Sequence, residues 1–224
     1  LVHDPTRRVR NFLNEYLGTP GQPVPFCGRQ AQLEELHSWL NAADAPPYYL
    51  MTAEAGRGKS ALVCRWMEEV RQKRPEVEVI FIPISIRFET ATQDTVFAAL
   101  AARLAKFYDE PLKPAALSGA QWQGVCESYL DRTPPAGKKL LIILDGLDEA
   151  TGWHFGAGFF STDPPPGLRV VVTARLRVGE STPQGWAATL GWPERLTRMA
   201  TLPPLTRIGV EEALTSMGDP LDKL

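Results

Sequence analysis

Largely apolar runs alternate along this chain with stretches in which apolar residues return every three or four positions. The runs cover residues 48–53, 77–86, 140–144 and 168–173, and a less regular one covers 197–202 before Pro203 and Pro204. A run without polar alternation suits a strand covered on both faces, as in a parallel sheet. Pro83, inside the second run, points to an edge position or a bulge. The periodic stretches predict helices: one from near Lys59 to about Lys73, one through Tyr108 capped by Asp94 or Thr95, one over 119–131, and one beginning over 210–217. Leu33, Leu36, Trp39 and Leu40 mark the inward face of another helix, broken at residues 44–47. Val9, Phe12, Leu13, Tyr16 and Leu17 mark an amphipathic helix near the start, followed by a turn-rich linker over 18–23. Strands alternating with helices predict an α/β architecture: a mostly parallel five-stranded sheet, helices on both faces, joined by right-handed crossovers. Residues 152–167 carry no period but contain Gly152, Gly156, Gly158 and Pro164–166. They are either a surface loop or the lining of a site at the end of the strand before them, and neither Trp153 nor His154 is assigned a role.

The first run leads into Ala53-Glu54-Ala55-Gly56-Arg57-Gly58-Lys59-Ser60. This matches the phosphate-cradling G-x-x-x-x-G-K-[ST] loop, with Ala53 at the first glycine position. Glycines let backbone N–H groups turn inward on phosphate oxygens, and the start of the next helix adds a partial positive charge. Ala53 sits where the chain leaves the strand, so its methyl is tolerated. In such a loop Lys59 reaches the β- and γ-phosphates and the Ser60 hydroxyl holds Mg²⁺. Arg57 is expected to point to solvent. The fold class that follows is a P-loop NTPase three-layer sandwich.

The third run ends in Asp145-Gly146-Leu147-Asp148-Glu149. Ligands of open α/β sheets bind at the carboxyl edge of the strands, so Asp145 is the expected partner of the metal, on the tip of a strand neighbouring the phosphate loop. Gly146 leaves room beside the phosphates. Asp148 or Glu149 would orient or deprotonate an attacking water.

Composition narrows the classes. The chain has 224 residues, enough for one α/β domain with a short appendage. A net charge of −2 supplies no basic field, so nucleic acid is not an expected partner. The three cysteines, Cys27, Cys64 and Cys126, have no metal-binding spacing and read as reduced thiols of a cytoplasmic protein. No apolar run approaches the ~20 residues of a membrane span. A first residue that is leucine suggests a piece of a larger protein.

With these pieces placed, residues 24–217 resemble the NACHT branch of the STAND signalling ATPases. Phe26-Cys27-Gly28-Arg29-Gln30 with Leu33 looks like the F-x-G-R-x-x-x-L segment of that branch, whose backbone contacts adenine. Residues 54–62 look like its P-loop, and Asp145-Gly146-Leu147-Asp148-Glu149 is similar to its D-G-x-D-E motif. Val170-Val171-Val172-Thr173-Ala174-Arg175 looks like its sensor strand, whose terminal arginine approaches the γ-phosphate. Leu202-Pro203-Pro204-Leu205 resembles the junction to its helical domain. The resemblance implies nucleotide contacts from Phe26, Cys27, Arg29, Ala55, Gly56, Arg57, Gly58, Lys59, Ser60 and Ala61. It implies catalysis by Lys59, Asp148, Glu149 and Arg175, and Mg²⁺ on Ser60 and Asp145. Arg29 either contacts nucleotide or pairs with a helix acid, and Arg87 faces the γ-phosphate or a neighbouring protomer. No winged-helix segment or repeat sensor is evident.

The function expected is an ATP-binding and hydrolysing switch, with ATP or ADP and Mg²⁺ as cofactors. Its partners would be other domains of the same full-length protein and, when ATP-bound, further copies. Its expected organisation is an N-terminal helix and linker (1–23), a nucleotide-binding domain (24–205) and the start of a helical segment (206–224). The alternatives are an AAA+-like motor or loader acting on nucleic acid or protein, which predicts a local basic face, and a GTPase, which needs an N/T-K-x-D motif that the sequence lacks. A binding module without turnover is disfavoured by the intact Lys59, Ser60, Asp145 and Glu149.

Overall fold

The computed structural model describes residues 6–112, 117–177, 179 and 182–216. A helix, α1 (Thr6–Leu17), opens it, followed by a two-stranded antiparallel hairpin, β1 (Gly18–Thr19) and β2 (Gln22–Pro23), where a linker was expected. The remaining elements in chain order are α2 (Gln30–Asn41), β3 (Tyr48–Ala53), α3 (Lys59–Lys73), β4 (Val77–Pro83), α4 (Gln93–Phe107), α5 (Gly119–Leu130), β5 (Lys139–Asp145), β6 (Leu168–Arg175), α6 (Gln184–Leu190), β7 (Thr197–Thr201) and α7 (Arg207–Ser216). The expected helical segment over 206–224 extends past Ser216 into residues that lie outside the described ones.

The main sheet has five strands in the order β4-β5-β6-β3-β7, every pair parallel. Its period-2 geometry divides the core into two layers. Leu140, Ile142 and Leu144 face the same side as Tyr48, Leu50, Val170 and Val172, under α4 and α5. Leu141 and Ile143 face the other side with Tyr49, Met51 and Val171, under α1, α2 and α3. This double coverage is why β3 and β5 lack polar alternation. Each large side chain so buried contributes roughly 1.5–3 kcal/mol. Pro83 ends β4 at the sheet edge, where no neighbouring strand needs its missing N–H. The apolar pattern to residue 86 overruns the strand. After Pro83, Ile84 makes one last bond, its N–H to the Asp145 carbonyl at 2.7 Å, and the chain then turns away.

Three other elements differ from expectation. The cap of α4 is Thr92, whose hydroxyl accepts the Thr95 N–H, and Asp94 lies inside the first turn. Helix α6 was not expected; it is a short element that follows Pro183. Residues 152–167 lie largely at the surface, but three of them are anchored: Phe155, Phe159 and Phe160 are buried and pack, tilted or edge-on, against Phe97, Tyr48 and Trp192 in the layer beneath α4. Among the described residues no helix is long and apolar enough to cross a membrane.

Candidate functional site

The candidate site lies at the carboxyl edge of β3, β5 and β6. The buried strand β3 delivers Ala53 to this edge, and residues 54–58 turn the chain into α3. Gly56 and Gly58 hold φ of +75° and +86°, a left-handed conformation that costs other residues about 1–2 kcal/mol each. A Cβ at either position would meet no protein atom within 4 Å. The glycines are therefore required by the backbone turn, and the space in front of them is open. Ala55 is exposed, Ala61 is partly buried, and Ser60 sits half-buried on the first turn of α3.

Lys59 arches over the loop, its Nζ 3.2 Å from the Ala53 carbonyl and 3.3 Å from that of Glu54. Desolvation lowers its pKa, and the charges of Asp148, Asp145 and Glu149 oppose that shift.

Asp145 ends β5 and is buried to 1% exposure. Burial raises its pKa, against hydrogen bonds from Thr173 and Ser60 and the charge of Lys59. The Thr173 hydroxyl donates to Asp145 Oδ1 at 2.5 Å, and the Gly146 N–H reaches both the Thr173 carbonyl and its Oγ1, at 3.2 and 3.0 Å. Ser60 of α3 thus acts on Asp145 at the tip of β5 although β3 and β5 are not adjacent, which corrects the expectation of neighbouring strands. β6 lies between β3 and β5, and Thr173 of β6 fastens the acid in place. Burial raises the pKa of Tyr16 on α1, and the nearby Ser60 opposes that shift. Neither Thr173 nor Tyr16 was singled out in the sequence; both were read only as positions in a strand and a helix.

Gly146 has φ +88°, and a Cβ there would lie 2.6 Å from the Ile84 carbonyl. Gly146→Ala is expected to destabilise the fold by about 1–3 kcal/mol, read as a fall in Tm of about 2–4 °C per kcal/mol. An unchanged Tm in a calorimetric scan would contradict this. Past the glycine, a 3₁₀ turn carries Asp148 and Glu149. Asp148 accepts the backbone N–H of Arg175 at 2.8 Å and faces its Nε at 3.1 Å. Glu149 lies 3.5 Å from Arg175 Nη2 and accepts the Ile86 N–H at 2.8 Å. Arg175, half-exposed, is held from behind by Trp186 of α6, which donates to its carbonyl at 2.8 Å. Beyond Asp148 opens a cleft of about 380 Å³ whose walls include Trp153, His154, Arg177 and Trp186, so the irregular segment does adjoin the site.

The remaining candidates sit on the other flank. Arg29 is almost fully buried and donates to the Arg57 carbonyl at 2.8 Å, so it props the phosphate loop from beneath. Among the described residues it pairs with no helix acid. Arg57 is partly exposed and ion-pairs with Glu54. Phe26 lies under Arg65, and Cys27 Sγ is 3.6 Å from Ser216 of α7. Gly28 packs so closely on Gly209 of α7 that a Cβ on it would lie 2.6 Å from the Gly209 Cα. Arg87 pairs with Glu15 of α1 at 2.7 Å.

The donor set suits Mg²⁺ with a triphosphate. Mg²⁺ is usually held by one or two protein oxygens together with phosphate and water. Ser60 and Asp145 supply such a pair, and no cluster of three or more His, Cys, Asp or Glu fit to cage a metal occurs among the described residues.

The model of the AAA ATPase domain family matches residues 25–172. No curated relative matches the chain. Among solved structures the chain is similar to the Aeropyrum pernix ORC1 protein in complex with DNA, with TM-score 0.59 and 17% identity, covering 88% of this chain and 50% of that one. It is also similar to Drosophila ORC bound to DNA, with TM-score 0.55 and 15% identity, covering 96% of this chain and 51% of that one. The chain spans about half the length of each, and at these identities the likeness is one of fold. Both neighbours were solved on DNA, so the comparisons lend no support to the expectation that nucleic acid is not a partner.

Proposed function

The chain belongs to the AAA ATPase domain family, and on that premise we propose that it is an ATP-binding and hydrolysing switch whose nucleotide state controls conformation or assembly. One observation carries this reading: Lys59, Ser60, Asp145, Glu149 and Arg175 converge in front of the two left-handed glycines of the phosphate loop. Residues 24–205 would form the nucleotide-binding unit. Backbone N–H groups of the loop and the start of α3 bind the phosphates, and Lys59 neutralises them. Magnesium held by Ser60 and Asp145 supplies Lewis-acid stabilisation of charge on the phosphoryl oxygens. Thr173 keeps Asp145 aimed at that position. Arg175 places a guanidinium where negative charge develops on the γ-phosphate. Both oxygens of Asp148 are committed to Arg175. Glu149 also has a partner on each oxygen, but its contact with that arginine is longer, at 3.5 Å, and on that difference it is the candidate to accept a proton from the attacking water.

Displacement of a fluorescent ATP analogue tests the reading. ATP with Mg²⁺ is expected to compete at least about tenfold better than GTP, a difference of 1.4 kcal/mol or more. Equal competition, or none, would defeat it.

Two narrower readings divide here. The NACHT assignment is supported by the D-G-x-D-E spacing of Asp145, Asp148 and Glu149. A nucleic-acid loader is supported by the likeness to ORC1 and ORC, and the family match favours it over the first. The loader predicts ATP-dependent binding of duplex DNA that weakens steeply with salt.

A further inference from the structure

We infer that the N-terminal helix α1 controls Glu149: it grips the segment after β4, and that segment occupies the carboxylate that would otherwise be open to water. The inference rests on the reading of Glu149 as the water-positioning group.

The grip has three points. Arg8 pairs with Glu89 at 2.7 Å and also donates to its carbonyl at 3.1 Å. Glu15 takes Arg87 in a two-pronged contact of 2.7 and 3.3 Å. Between them, the buried Phe12 packs edge-on against Phe88, ring centres 5.2 Å apart. Thus three consecutive residues, Arg87, Phe88 and Glu89, are all held by one face of α1.

The segment is closed on itself. The Thr90 N–H bonds the Ser85 carbonyl at 2.9 Å, the Ser85 N–H bonds Thr90 Oγ1 at 3.1 Å, and the Glu89 N–H bonds the Ile86 carbonyl at 3.1 Å. Glu89 is left-handed at φ +53°, unusual for a residue with a side chain. A displacement of 87–89 is therefore passed to Ile86. Ile86 is 62% exposed, so packing does little to fix that residue. What fixes it is its N–H on Glu149 Oε2 at 2.8 Å. With Oε1 facing Arg175, each oxygen already carries one protein partner while α1 is seated, and a water would have to compete with both. The same helix brings Tyr16 near Ser60, so α1 neighbours both the metal-side and the water-side groups. Glu15 and Arg87 are positioning residues in this scheme: they act on Glu149 through the backbone of Ile86.

The test uses the full chain carrying Glu15→Arg, Arg87→Glu, or both. The two side chains are exposed enough for the variants to fold. Each single variant is expected to speed hydrogen exchange at the Ile86 amide and to raise steady-state phosphate release, both by about two- to fivefold, the range an exposed ion pair allows. The double exchange re-forms the pair and should return both within about twofold of the parent. A merely structural pair would lower Tm without raising turnover. Unchanged Ile86 exchange in the single variants, or a double variant that does not revert, overturns the inference. If the parent shows no phosphate release that depends on Lys59, the ATPase reading itself has failed. The exchange measurement then still decides whether α1 governs Ile86.

Discussion

Lys59→Ala is expected to weaken ATP binding by about 10²-fold or more. Charge-assisted hydrogen bonds contribute about 1.5–3 kcal/mol each, and the ammonium is placed to make them to two phosphates. Loss of fold is not an alternative explanation. Lys59 is desolvated and its pKa is lowered, so its charged form is disfavoured by folding, and its removal should leave Tm unchanged or slightly raised. Titration calorimetry on parent and variant checks the affinity, and a thermal scan checks the fold. Parental affinity in the variant would mean that the loop at 54–60 does not hold the phosphates.

Glu149→Gln should lower turnover by about 10²–10⁴-fold, the usual contribution of a positioned general base, while ATP affinity stays within about threefold. The carboxamide keeps the shape of the side chain and can still accept the Ile86 N–H. Asp148→Asn should behave differently, because both oxygens of Asp148 hold Arg175. Its loss misplaces that guanidinium and should affect affinity and turnover together. Single-turnover phosphate release with saturating ATP separates the two. If Asp148→Asn proves the more damaging to the chemical step and Glu149→Gln turns over at the parental rate, the two roles are reversed.

Much of this arrangement is legible in the amino-acid order because the local signals agree. Gly56, Gly58, Lys59 and Ser60 sit between a buried run and a periodic stretch, and the run 140–144 ends directly in the acid. What the linear pattern does not carry is lateral order. Nothing in the residues 168–173 says that β6 slides between β3 and β5, so the hydroxyl of Thr173 looked like one more β-branched residue of a strand. The aromatics Phe155, Phe159 and Phe160 were hidden for another reason. They are spaced by glycines without a period, and their burial arises from distant elements, Phe97 and Trp192, that no window of sequence brings together. For Arg29 the sequence offers nucleotide or carboxylate, and the structure adds a partner it does not signal, the main-chain carbonyl of Arg57, which any residue could have supplied.

The insertion of β6 has a cost for anyone wishing to retune this protein. Its tip carries Thr173, which steadies one acid, and two residues later Arg175, which clamps another, on a backbone whose other flank is paired to the phosphate-loop strand. A change in the tilt or register of that single ribbon displaces ion affinity, charge compensation and loop posture at once. Substitutions along it should therefore yield correlated losses, and independent adjustment of hydrolysis has to come from the opposite margin of the sheet.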